Sequence, residues 1–210
     1  METNTKLQTL IAHFHGLPII SATLTQLRNE LPSQYFYHTS DHTEEVLAEA
    51  LLFGLEDNLC YQDLYLLALA AAFHDTGFFV QATNNESIGA EFARKALIQL
   101  STLSSNDQET VYQMILDTTI KTTERGPKQV ATTPLSAYLL DADVSNFGRP
   151  DFFDKSELVR IEIGAPEKVA FLHNTLKLLE THEWYSTSAK RIRSAQKESN
   201  LIELRRMLSL

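Results

Sequence analysis

The sequence predicts an all-α fold, and three observations carry that prediction. Apolar residues recur at three- and four-residue intervals along most of the chain, runs of strict apolar and polar alternation are nearly absent, and cap-type residues stand where the periodic stretches begin and end. With 210 residues, 43% apolar and 21% charged, the chain can build one sizeable core and requires no second. A single compact helical domain over 1–210 is expected, with its chemistry-bearing segments in 35–150 and further helices in 151–210.

Taken in order, helices are expected over Thr5–His13 and Ser21–Glu30, the second ended by Leu31 because Pro32 disfavours helical backbone in the residue before it. An aromatic-rich loop, Ser33–Ser40, follows. Asp41 is the expected N-cap of the next helix, with Glu44 as its capping-box partner and Gly54 as its stop. Tyr61–His74 is apolar nearly all round from Leu64 to Phe73 and should be the central, buried helix. Helices are next expected over Asn85–Leu100 and Ser105–Thr119, with Ser105 and Gln108 as cap and partner of the latter. Gly126 and Pro127 mark a loop. Thr133 caps a helix that starts at Pro134 and runs to about Asn146. The remainder reads as helices near Phe152–Ile163, Pro166–Thr181 and Thr187–Leu208.

Charge narrows the function classes. The chain carries 18 Lys plus Arg against 27 Asp plus Glu, for a net charge of −9. Residues 1–154 hold 8 basic and 20 acidic side chains, while 155–210 hold 10 and 7, with the basic ones alternating with acids at helical spacing. No face that would hold a nucleic-acid backbone emerges. An acidic protein that binds a small phosphorylated ligand must recruit positive charge at the site. The single cysteine, Cys60, can form no intrachain disulfide, no secretory signal is legible, and the richest apolar run is about half the length that a bilayer needs. A cytoplasmic protein without membrane or nucleic-acid partners is expected; the oligomeric state is open.

The buried helix runs straight into His74 and Asp75. A buried unpaired carboxylate costs several kcal/mol or becomes neutral, a cation removes that penalty, and a helix C-terminus favours positive charge. His42 precedes Val46 and Ala50 at four-residue steps and so faces inward. On a wheel of about 100° per residue from Leu135, the apolar arc of the helix after Pro134 encloses Asp143 and places Asp141 on the opposite side. Asp143 is therefore the expected buried carboxylate, and Asp141 takes a solvent-facing role or a hydrogen bond to a ligand histidine. These groups read either as a metal site or as a self-satisfied polar cluster. His13, His15, His173 and His182 lie near no second motif.

The order His42, His74-Asp75, Asp143 resembles the H…HD…D signature of the HD-domain metal-dependent phosphohydrolase superfamily. YHTSDHTEEV from Tyr37 and FHDTG from Phe73 are similar to its first two motifs, and ADVSN from Ala142 is similar to a stretch of its cyclic-nucleotide phosphodiesterases. Looser likeness spans 35–195, with FGRPDFF and HEWYSTSAKRIR similar to the tails of small bacterial members. The resemblance implies an all-α domain that hydrolyses a phosphate ester, with a nucleotide or a related small phosphorylated metabolite as substrate. It implies a divalent ion (Mn, Fe, Co, Ni, Zn or Mg) on His42, His74, Asp75 and Asp143.

Several subfamilies add a third histidine for a second ion; ATNNESIGAEF has none here, so one ion is expected and two remain open. His38 is the candidate general acid, Glu86 or Asp75 the candidate for orienting water, and Lys121 and Arg125 the candidate phosphate ligands. A cyclic-nucleotide-type phosphodiesterase and a metal-containing sensor without turnover are the alternative functions.

Overall fold

A helix with no polar face has to be surrounded, and that requirement organises the molecule. The computed structural model describes residues 2–124 and 126–209. In chain order, α1 (Glu2–His15), α2 (Pro18–Glu30) and α3 (Ser40–Glu56) lead into α4 (Tyr61–Phe73). Leu64 and Leu66 through Phe73 of α4 are all buried. A 3-10 turn (Thr76–Phe79), α5 (Asn85–Leu97), α6 (Ser105–Asp117) and α7 (Ser136–Asp143) follow. Helices α2, α3, α5, α6 and α7 all pack against α4. A second 3-10 turn (Ser145–Gly148) then leads to α8 (Phe152–Glu162), α9 (Lys168–Thr181) and α10 (Thr187–Met207).

The last three helices gather a smaller core of Phe147, Phe152, Leu172, Leu176, Leu179 and Leu204. Trp184 packs against this core and the main one. Among the described residues the fold is all-α but for one antiparallel hairpin, β1 (Lys121–Thr123) with β2 (Gly126–Lys128), in the register Lys121 to Lys128. The loop read around Gly126 is thus partly strand; three-residue strands are too short for alternation to register in the sequence. No helix among the described residues is long and apolar enough to cross a membrane.

Several boundaries shift for local reasons. Thr39 rather than Asp41 caps α3, its Oγ1 accepting from the His42 N–H at 3.4 Å. Gly54 does not end α3: a Cβ there would lie 2.7 Å from Leu64 Cδ2, so the glycine admits α4 rather than stopping the helix. The capping box of α6 is Ser104 with Asp107, one residue earlier than Ser105 with Gln108. Thr133 does accept from the Ser136 N–H at 3.0 Å, but α7 closes at Asp143 and the chain continues as a 3-10 turn.

Candidate metal centre

Three elements deliver the donors. His42 sits in the first turn of α3, His74 and Asp75 follow the last turn of α4, and Asp143 is the last residue of α7. His42, His74 and Asp75 are 3%, 1% and 6% exposed. Their ligand-type atoms lie within 4.8 Å of one another, a group able to hold a metal ion. His42 Nε2 is 3.6 Å and His74 Nε2 3.2 Å from Asp75 Oδ2. Asp143 completes the ring from α7, its Oδ1 standing 3.4 Å from His42 Nε2 and 3.7 Å from His74 Nε2.

The α4 corner holds this geometry because another helix presses on it. A Cβ on Gly77 would lie 1.8 Å from the Asn85 carbonyl oxygen, so only glycine lets the start of α5 approach the turn after Asp75. The His74 ring is set by Nδ1, which donates to the Ala71 carbonyl at 2.7 Å and turns Nε2 toward the cluster.

The donor set fits a divalent ion. His42 Nε2, His74 Nε2 and Asp75 Oδ2 are buried without any hydrogen-bond partner, and such atoms are rare unless something else satisfies them. Two imidazole nitrogens and two carboxylate oxygens are the donors that borderline divalent ions take. The nitrogen–oxygen separations of 3.2–3.7 Å leave room for an ion bonded at about 2.1 Å to the histidines and the adjacent carboxylates. Burial opposes a charged His74, but Asp75 and Asp143 outweigh it and raise its pKa to about 9. Burial likewise opposes a charged Asp75, yet His74 beside it holds that carboxyl well below the usual range. Both carboxylates are thus anionic, as ligation requires.

A cavity of about 420 Å³ opens above the donors, lined by Asp75 and Asp143 and by His38, Glu86, Gln129 and Asn146 among others. His38 stacks on Phe78 with ring centroids 4.4 Å apart. Glu162 holds it from behind: one carboxylate oxygen accepts from His38 Nδ1, and the other accepts from the backbone N–H of Tyr37 at 2.8 Å and of His38 at 3.1 Å. Burial opposes the charged imidazole, but Glu162, Asp75 and Asp143 more than offset it, so its pKa is raised. Glu86, in the first turn of α5, is raised chiefly by burial.

No family model matches the chain, and no curated protein matches it. Solved structures do. Bacillus subtilis YpgQ in complex with ADP superposes with a TM-score of 0.63 over 90% of this chain and 96% of that one, at 16% identity. A structural-genomics target from Lactobacillus plantarum superposes with a TM-score of 0.60 over the same shares, also at 16% identity. The chain shares their fold.

The remaining expected residues fall unevenly on this fold. Asp141 is fully buried, and its carboxylate reaches no ligand histidine: it accepts from Tyr185 N at 2.9 Å and from Ser186 N and Oγ at 2.7 Å each, at the start of α10. A helix between two layers has two buried faces, so the face opposite the site is not solvent. Lys121 is exposed on β1 and does not line the cavity. Arg125 lies outside the described residues.

Two site residues escaped the sequence reading. Glu162 is 124 residues from His38. Gln129 donates through Nε2 to Asp143 Oδ2 at 2.5 Å and to the Thr118 carbonyl at 2.8 Å, which turns Oδ1 toward the histidines. Neither carried a local signal.

Proposed function

We propose that the protein is a metal-dependent phosphohydrolase acting on a phosphate ester of the nucleotide class. The observation that carries the reading is the set of three buried, unpartnered donor atoms at the edge of a cavity large enough for a nucleoside-sized ligand. His42, His74, Asp75 and Asp143 would hold one divalent ion. Such an ion supplies Lewis acidity toward a phosphoryl oxygen and lowers the pKa of water.

The chain's own groups do the rest. His38 holds a proton at Nε2 and donates it to the departing ester oxygen, while Glu162 fixes the ring by accepting from Nδ1. The Glu162 contribution persists when a cation neutralises Asp75 and Asp143. Glu86, kept protonatable by burial, accepts a proton from the attacking water, and Asp75 orients that water. Gln129 keeps Asp143 in place.

The ADP in the YpgQ structure makes adenine nucleotides the first substrates to test. The test is phosphate release from a panel of phosphomonoesters and cyclic nucleotides after chelation and reloading with Mn, Co, Ni, Zn or Mg. Metal-dependent release is expected, and His38→Gln should lower kcat by about 10²–10⁴ at unchanged metal content. Cleavage confined to cyclic nucleotides would indicate the phosphodiesterase alternative that ADVSN suggests. No release from any ester with any ion would favour a metal-containing ligand sensor.

A further inference from the structure

Among the described residues, the cavity that receives the substrate carries almost no positive charge of its own. Its walls are apolar at Ile120, Phe147, Ile163 and Phe171, and uncharged but hydrogen-bonding at Asn85, Asn146 and Asn174; among the described residues, no Lys or Arg lines it. Asp75, Asp143 and Glu86 contribute carboxyl groups. The one basic lining group, His38, already faces Glu162.

The basic residues of the following segment are committed elsewhere. Arg149 pairs with Glu45 and Asp151, and Lys155 pairs with Glu45. Lys128 borders not this cavity but a smaller one of about 100 Å³ that adjoins it, sharing Ile120, Gln129, Val144, Phe147 and Leu178. A single divalent ion on the four donors would offset Asp75 and Asp143 and leave no surplus. Polyphosphate sites instead surround the outer phosphates with Lys and Arg, because unpaired anions are poorly tolerated in an apolar surround; the helix N-terminus at this cavity, that of α5, carries Glu86 in its first turn, which opposes a second anion there.

Resting on the phosphohydrolase reading, we infer that the substrate carries its charge in one phosphoryl group on an uncharged body, such as a nucleoside monophosphate, and that nucleoside di- and triphosphates are disfavoured. The phosphoryl group takes the metal end. The body lies along the apolar wall, with the amides of Asn146 and Asn174 available to its polar edge.

The test titrates the full chain, loaded with Mn²⁺ and held at fixed free Mn²⁺, by calorimetry with the mono-, di- and triphosphates of adenosine and thymidine and with p-nitrophenyl phosphate. Phosphate release is followed in parallel. Each monophosphate should bind at least about tenfold more tightly than its own di- and triphosphate, a difference of about 1.4 kcal/mol. Equal or tighter binding of the polyphosphates, or no binding of any monophosphate, overturns the inference.

Asn174→Lys and Ile163→Lys, placed at separate points of the wall, should each narrow the ratio by adding the missing cation; an unchanged ratio in both folded variants counts against it. A preserved monophosphate preference without release from any ester would sink the hydrolase reading and leave the ligand specificity standing.

Discussion

Helix α7 carries two carboxylates two residues apart, Asp141 fully buried and Asp143 half-buried at the cavity edge, and they face different worlds. Asp141 turns toward α10, where three donors at the helix start satisfy it completely. It anchors the residues that enter the helix, while Ser186 itself caps α10 by accepting from the Ala189 N–H. Asp143 turns toward α3 and α4, takes one bond from Gln129, and aims its other oxygen at two imidazole nitrogens that have no protein partner. Asp141 is the more deeply buried of the two, yet completeness of hydrogen bonding is what distinguishes their roles. A satisfied buried carboxylate holds structure together, and an unsatisfied cluster of donors awaits a ligand.

The largest effect that would sharpen this contrast is Asp75→Ala. Loss of one donor from the proposed four-donor site should take metal content to background by elemental analysis and lower phosphate release roughly 10³-fold. The fold should persist, since the residue makes no hydrogen bond that holds elements together. Asp141→Ala should do the reverse. Three donors at the start of α10 lose a charged acceptor, which costs about 3 kcal/mol, or roughly 10 °C in Tm for a chain of this size, while metal content stays intact. Metal loss in Asp141→Ala as complete as in Asp75→Ala would erase the distinction.

Much of this site was legible in the sequence because helical periodicity reports burial. The apolar run of α4 placed His74 and Asp75 at the edge of the core, and the spacing from His42 to Val46 and Ala50 turned that imidazole inward. The wheel put Asp143 and Asp141 on different faces, as observed, but reversed their burial: Asp141 is fully buried and Asp143 half-buried. It failed on what lies beyond the far face, since periodicity does not show that α10 returns to cover it. Glu162 and Gln129 were illegible for the same reason: their roles exist only through contacts between distant segments. The cap at Thr39 was displaced by two residues because Thr39, Ser40 and Asp41 are all competent caps, and tertiary placement decides among them.

The two regions also differ in how they treat a buried imidazole. His74 among carboxylates is raised to about 9, whereas His182, beside the α10 seam, is lowered to about 3 by burial first and by Lys197 second. Its Nδ1 and the Trp184 Nε1 lack protein partners, and both residues line the small cavity of about 100 Å³, room for a few waters. Between about pH 3 and 6.5 the folded chain binds fewer protons at His182 than the unfolded chain does, so unfolding takes up a proton and stability rises with pH. The contribution is complete above about pH 6.5 and is lost as pH falls, at up to about 1.4 kcal/mol per unit. His182→Phe keeps the ring volume and removes the titration. Denaturant melts at pH 7 and pH 5 should show the wild type losing about 2 kcal/mol relative to the variant over that interval. Parallel stability profiles would mean that folding leaves the His182 pKa unshifted and that the seam tolerates a charged imidazole, as the cluster around His74 does.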